Sequence, residues 1–358
     1  MIFGFTISVF KQDRTTLLTL LSIDPLIRIA VSLLPVFLFL TALVFLDSYR
    51  LVKLRAVLFT TLVGSIVSGA SFFINIGTVQ LLDVGISFYS RYGAPIVEEL
   101  LKASYLVYLI RAKKIGFMVD GAIYGFAIGA GFAFLENIYY LQSVGNPNLF
   151  VWIVRGLGTA VMHGGTTAIL GIISKNLSDR HSSDKLRVFL PGLAVAIIIH
   201  SFFNHFFFSP QVTTVIQLVV LPLIVLIVFD QSEKSLRDWL EMGLDTDAHV
   251  LEMIITGNIS ESRIGIYLKS LQGRFPGEVV ADMLCLLRIH LELAIRAKGI
   301  LLMREAGFRT TPDPEIKAKF DELKYLEKSI GKTGKLAILP FLHTSSRDLW
   351  QLHFLGTK

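Results

Sequence analysis

A single cysteine, Cys285, occurs in the 358 residues. No intrachain disulfide can form, and CxxC metal chemistry is absent. Charge is scarce as well. Asp, Glu, Lys and Arg make up 17% of the chain, where a soluble domain carries about a quarter. The sequence has no HExxH helix, no glycine-rich phosphate loop and no serine–histidine–aspartate set. No long internal repeat or low-complexity segment stands out. The first ten residues are apolar, but Lys11 and Arg14 follow them instead of preceding them. With no small-x-small site nearby, a cleavable signal peptide is not expected. The net charge of +6 is modest. It reads as a topology bias and not as nucleic-acid binding.

Apolar side chains take up the difference, at 53% of residues, with 27 phenylalanines. The expected fold is all-α: a polytopic membrane bundle of about seven spans, followed by a cytoplasmic helical region. Residues 1–25 read as a short apolar or interfacial lead-in, and whether they add a span is open. Span-length runs follow at Leu26–Leu46, Ala56–Ile74, Gly93–Ile110, 116–141, Phe150–Ile173, Val188–Phe208 and Val212–Phe229. Each is near the ~20 residues a bilayer requires. Asn75–Tyr92 is mixed and reads as a loop with an interfacial helix, and Gly145-Asn146-Pro147-Asn148 is a chain breaker. Residues 26–230 thus form the transmembrane bundle.

Residues 231–358 are charged and amphipathic and read as a separate helical domain. One long helix is expected at 278–306, with Leu284, Leu287, Leu291 and Ala294 on its apolar stripe. A second is expected from an Asp313 N-cap and Pro314 to Gly331. Cys285 reads as a small buried residue of the first. The loops give the orientation. Arg50, Lys53 and Arg55, then Arg111, Lys113 and Lys114, then Lys175–Arg187 follow alternate spans. The intervening loops carry almost no basic residue except Arg91. By the positive-inside rule the basic side is cytoplasmic, which places the N-terminus outside and the C-terminus inside.

Ionisable residues inside bilayer-length runs are costly and mark function. Counted from the outer helix ends, Glu98 and Glu99 lie roughly 10 Å deep, Glu136 roughly 8 Å, His200 roughly 12 Å, Asn204 roughly 6 Å and His163 roughly 20 Å. Four spans therefore bring carboxylates, imidazoles and an amide to the outer half and midplane. His200 and Asn204 share a helix face, and so do Glu98 and Lys102. Glu98 and Glu99 point about 100° apart and can flank one cavity. Gly121, Gly125 and Gly129 recur every four residues, and Gly156, Gly158, Gly164 and Gly165 crowd the next span. Such residues let helices approach closely.

A buried carboxylate is a good general base, a second carboxylate or imidazole can carry its proton, and a His–Asn pair can support an oxyanion. Together Glu98, Glu99, Glu136, His163, His200 and Asn204 suit amide hydrolysis within the membrane. Glu98, Glu99, Glu136, His163 and His200 are also acceptable ligands for a divalent metal such as zinc, so the choice between direct water activation and metal assistance stays open. Two other classes compete. An ion-coupled transporter also uses intramembrane Glu and His, but the second and seventh spans are charge-free and the inner halves of the fourth and sixth are apolar. A non-catalytic scaffold would keep the polar core to hold a partner helix. Bland readings also exist. Glu98–Lys102 could be a buried ion pair, Glu136 an interfacial residue, and His163 and His200–Asn204 interhelical contacts. His205 and Arg155 read as structural, and Asp120 as a helix start.

Glu98-Glu99-Leu100-Leu101-Lys102 resembles the EExxK motif of PrsW-type intramembrane proteases. Phe132-Ala133-Phe134-Leu135-Glu136-Asn137 resembles their second motif, and His163 and the His200–Asn204 spacing resemble the later histidine motifs. The similarity covers residues 90–208 in order. The wider group includes the CAAX prenyl proteases and bacteriocin-immunity membrane proteins, with the gamma-secretase scaffold subunit a distant relative. In the CAAX branch the second motif ends in His, where this chain has Glu136. The resemblance implies a glutamic or metal-dependent protease. Its expected substrate is a membrane-anchored protein, such as an anti-sigma-factor-like regulator, cut on the extracytoplasmic side. It implies nothing for residues 231–358.

Overall fold

A computed structural model describes residues 37–38, 40–42, 45, 47, 51–143, 149–180, 185–205, 207–308, 313–342, 350–352 and 354–355. The lead-in 1–25, most of the expected span Leu26–Leu46, Arg50 and the Gly145–Asn148 turn lie outside the described residues. Among the described residues every regular element is helical, so the fold is all-α. The chain divides into two compact units, one built from residues up to 111 with 117–231, the other from 112–116 with 232–358.

The first unit opens with α1, Leu54–Leu82. After Arg55 it carries no charge until Asp83, whose left-handed φ of 47° ends it. The helix therefore runs past the expected end at Ile74 and takes Asn75 with it. The segment expected as a loop is mostly helical too. A turn at Ile86–Phe88 passes into a π-helical turn, Tyr89–Gly93, and then into α2, Ala94–Arg111. α3 is Met118–Ser143 and α4 is Leu149–Arg180. The Asp120 carboxylate accepts from the Phe117 amide at 3.1 Å, the helix-start role its position predicts. α5, Leu190–Asn204, has 15 residues and is shorter at both ends than the expected Val188–Phe208. α6 is Pro210–Ile255, well beyond Phe229, because Gln231, Glu233 and Lys234 are good helix formers and no Gly or Pro there breaks the ladder.

Among the described residues, α1, α3, α4 and α6 are the four helices long and apolar enough to cross a membrane. α2 is of span length, 18 residues, but holds Glu98, Glu99, Lys102 and Arg111. The first of the seven expected spans, Leu26–Leu46, lies mostly outside the described residues.

α3 packs between α1 and α4 with backbone against backbone. A Cβ on Gly129 would lie 2.0 Å from the His163 carbonyl oxygen, and one on Gly125 2.3 Å from that of Thr167. On the opposite side, a Cβ on Gly131 would lie 1.8 Å from the Thr61 oxygen. Ser65 Oγ donates to the Gly131 carbonyl there, at 2.8 Å. The four-residue glycine repeat is thus a packing ridge, and it seats the His163 turn of α4 directly on α3. Gly129→Leu is expected to lower stability by at least ~2 kcal/mol, since a backbone oxygen cannot give way as a side chain can. Gly77→Ala, with nothing within 4 Å of its Cβ, is expected to be neutral. Thermal unfolding of the two detergent-solubilised variants checks this.

The second unit holds α7, Arg263–Leu271, α8, Gly277–Glu305, and α9, Glu315–Ile338. On α8 the stripe residues Leu287, Leu291 and Ala294 are buried and Leu284 is half-buried. Cys285 is exposed, not buried as expected. It lies on the same side as Arg288, one position off the stripe. α9 begins where Asp313 Oδ1 accepts from the Glu315 amide at 2.9 Å. The helix is interrupted at Gly331, with a φ of 65°, and resumes to Ile338.

Glu292 on α8 accepts from Arg288 at 2.9 Å and from Lys319 of α9. Burial works to raise the Glu292 carboxyl, but these two cations outweigh it and hold it below the usual carboxylate range. A buried pair, Lys298 to Asp247 at 2.6 Å, ties α8 to the C-terminal part of α6.

Candidate active site

Five elements of the first unit meet at one buried cluster. Glu98 and Glu99 are neighbours on α2 and face different partners, as their angular separation requires. Glu98 turns toward α1, where its Oε1 accepts from Asn75 Nδ2 at 3.1 Å. Its Oε2 lies 3.8 Å from His200 Nε2 of α5. Glu99 turns inward. Its Oε1 accepts from Lys102 Nζ at 2.5 Å, from His200 Nδ1 at 2.8 Å and, more distantly, from Thr166 Oγ1 at 3.5 Å.

The partners fix both imidazole tautomers. Glu99 can only accept, so His200 carries its proton on Nδ1 and turns the Nε2 lone pair toward Glu98. Lys102 Nζ also lies 3.1 Å from His163 Nδ1. An ammonium only donates, so Nδ1 accepts and the His163 Nε2–H donates to Glu136 Oε2 of α3, at 2.6 Å. The result is one continuous polar chain, Glu136–His163–Lys102–Glu99–His200, with Glu98 and Asn75 beside its end. The two imidazole rings are 4.9 Å apart, edge to face. Phe132 forms an apolar wall, with its ring 4.7 Å from that of His163 and 4.9 Å from Lys102 Nζ.

Burial is uneven. Glu99 and Lys102 are wholly enclosed, and His163 and His200 nearly so. The Glu98 and Glu136 side chains are 13% and 23% exposed, so the cluster opens on the side of these two carboxylates.

The structure thus brings together Glu98, Glu99, Glu136, His163 and His200. Asn204 stands apart. It is one turn beyond His200, and its Nδ2 donates to the Ser90 carbonyl of the π-helical turn at 2.9 Å. Two further expectations are corrected. Lys102 pairs with Glu99, three residues back, and not with Glu98. His163, placed roughly 12 Å deeper than Glu136 by counting from helix ends, touches it. The ends of α3 and α4 therefore do not lie at one level.

Asn75, Tyr89 and Thr166 belong to the cluster's surroundings and were not foreseen. Asn75 carried a signal, a lone amide at the edge of an apolar run. Tyr89 and Thr166 carried none, since both depend on the three-dimensional path of the chain.

The residues fit a divalent metal. Glu98, His163 and His200 each offer one ligand atom, all within 4.8 Å of one another, although His163 Nδ1 would have to exchange its contact with Lys102 Nζ for the ion. Two nitrogens and a carboxylate oxygen are a known set for catalytic zinc. Glu99 Oε2 is buried with no hydrogen-bond partner among the described residues. Three carboxylates also share the cluster with one lysine among the described residues, and its ammonium pairs with Glu99; a cation beside Glu98 would add to the positive charge there.

Bilayer-length helices enclosing such side chains define a class, the membrane-embedded helical proteins with clustered ionisable groups in their interior. The particular family follows from residues 52–229, which match the model of the PrsW family intramembrane metalloproteases. The chain belongs to that family, and the matched stretch contains every residue of the cluster. It is accordingly a membrane protein of an intramembrane protease family. No match is found among curated proteins or among solved structures.

Proposed function

We propose that the chain is an intramembrane endopeptidase in which Glu98 activates the attacking water. The observation that carries this is the unequal engagement of the three carboxylates. Glu99 is enclosed and shared between Lys102 and His200, which suits a group that orients others. Glu136 is paired with His163. Glu98 is held through one oxygen, with the other at the open side facing His200 Nε2. A carboxylate so placed can take a proton from water while the water oxygen attacks the scissile carbonyl carbon. As the C–N bond breaks, that proton passes to the leaving nitrogen, so one water is consumed and a carboxylate and an amine result. In these tautomers both imidazole N–H groups are already given to carboxylates, His163 to Glu136 and His200 to Glu99, so the imidazoles serve to orient the site, while Asn204 fixes the end of α5 against the π-helical turn.

Glu98, His163 and His200 are the residues that would hold a metal, and Glu136 is then the exposed carboxylate left to handle the proton. Glu99 and Glu136 would orient the two imidazoles as outer partners. A divalent ion such as zinc supplies Lewis acidity at that spot.

The expected substrate is a membrane-anchored protein with a single span, of the anti-sigma-factor-like regulator class to which the family resemblance points. The basic loops favour an N-terminus outside, a C-terminus in the cytoplasm and cleavage near the extracytoplasmic side. The test is incubation of purified protein with candidate single-span substrates, wild type against Glu98→Ala, with metal analysis of the same sample. Wild type is expected to cleave and the variant not. Normal cleavage by Glu98→Ala would overturn the assignment of Glu98, and normal cleavage by Glu99→Ala as well would overturn the role of the pair.

A further inference from the structure

Most of α1 faces outward with apolar side chains. Leu58, Phe59, Leu62, Ile66 and Phe73 are all exposed. Asn75 is the opposite, 3% exposed and polar. An amide buried in such surroundings costs stability unless both of its ends are bonded, and here both are. Nδ2 donates to Glu98 Oε1 at 3.1 Å, and Oδ1 accepts from the Tyr89 hydroxyl at 2.9 Å. The Tyr89 hydroxyl gives the amide a direction. Without it the group could rotate and turn its oxygen toward the carboxylate.

Tyr89 is itself held. Its ring lies against Gly93, where a Cβ would come within 2.5 Å of it. The π-helical turn it opens is strapped to α5. Asn204 Nδ2 and Ser201 Oγ donate to the Ser90 and Arg91 carbonyls at 2.9 and 2.6 Å. The same helix supplies His200, so the strap and the imidazole that Glu98 faces move as one piece.

We propose that Asn75, oriented by Tyr89, is a positioning residue that fixes the Glu98 carboxylate with Oε2 directed at His200. This rests on the reading that Glu98 acts at the reaction centre. The test uses the full chain in detergent and two readouts, peptide cleavage and zinc affinity measured with zinc alone. Asn75→Ala is expected to lower kcat about 10–100-fold with KM little changed, and to weaken zinc binding by a similar factor, the usual effect of losing an outer-shell partner. Asn75→Asp keeps the volume but replaces the donor with a second carboxylate, so its loss should be at least as large. Tyr89→Phe should act in the same direction but less. Combined with Asn75→Ala, it should add nothing further, because the two act through one contact.

Wild-type behaviour of Asn75→Asp in both readouts overturns the proposal, since a packing role alone would tolerate that change. So does additivity of the two losses, or a change confined to KM. If wild type binds zinc but cleaves no substrate, the proteolytic reading fails and the zinc affinities still decide the role of Asn75. If it does neither, both fall.

Discussion

Glu98→Gln is expected to reduce cleavage by about 10²–10⁴-fold, the usual span for loss of a general base, and to leave the protein folded in the membrane. The substitution keeps the side-chain volume. Its carbonyl oxygen can still accept from Asn75 Nδ2, and its amide can face the His200 Nε2 lone pair. What disappears is a group able to take a proton from water. Glu99→Gln is expected to be slow for a different reason. It removes the charge that holds the His200 proton on Nδ1 and anchors Lys102. Glu136→Gln separates the two chemical readings. If Glu98 is the base, His163 still donates to the glutamine oxygen and the loss is modest. If Glu98 is a metal ligand, loss of Glu136 should approach that of Glu98 while metal content stays at the wild-type level. Single-turnover cleavage rates with metal analysis of each variant provide the measurement. Wild-type rates for Glu98→Gln would remove it from the chemistry.

The convergence of Glu98, Glu99, Glu136, His163 and His200 was legible because each is an expensive exception in an apolar run, and such exceptions must share partners. The glycine ridge of α3 was legible because a repeat of four marks one helix face. What remained hidden depends on rotation and level. Lys102 is four residues from Glu98 and three from Glu99, and both spacings allow a pair. Asn75 draws Glu98 toward α1, and that settles the choice in favour of Glu99. Asn204 shares a face with His200, yet a rise of one turn, roughly 5.4 Å, carries it out of the cluster to the π-helical turn. Counting residues from helix ends assumes that every helix starts at one height. His163 against Glu136 shows that α3 and α4 do not. Asn75 was lost for a simpler reason. A polar residue at the edge of an apolar run looks like its end, although the backbone ladder is indifferent to it and α1 continues to Leu82. Cys285 shows the same limit in the second unit, where one residue of rotation separates the buried stripe from the exposed side.

Lys102→Met should be the most destabilising single change in the cluster. Methionine reproduces much of the lysine stem against Phe132, so little packing is lost. The ammonium is what goes. Glu99 is wholly buried, and its Oε1 would keep only His200 and the distant Thr166 as donors, while His163 Nδ1 would lose the donor that sets its tautomer. Breaking a buried pair by removing one partner costs about 3–5 kcal/mol, because the remaining charge is left uncompensated. The melting temperature in detergent should fall by roughly 10 °C, allowing a few degrees per kcal/mol. By contrast, Lys324→Met breaks a pair with Asp321 whose side chains are 75% and 63% exposed, and it should leave the melting temperature unchanged. The double variant Lys102→Met with Glu99→Gln tests the cause. If stranded charge is the reason, making Glu99 neutral should restore most of the lost stability, since a buried ion pair can often be replaced by neutral groups of similar volume. Cleavage should not return with it, because His200 would still lack the carboxylate that orients it. A Lys102→Met protein as stable as wild type would mean that the Glu99 charge is balanced by something other than the lysine.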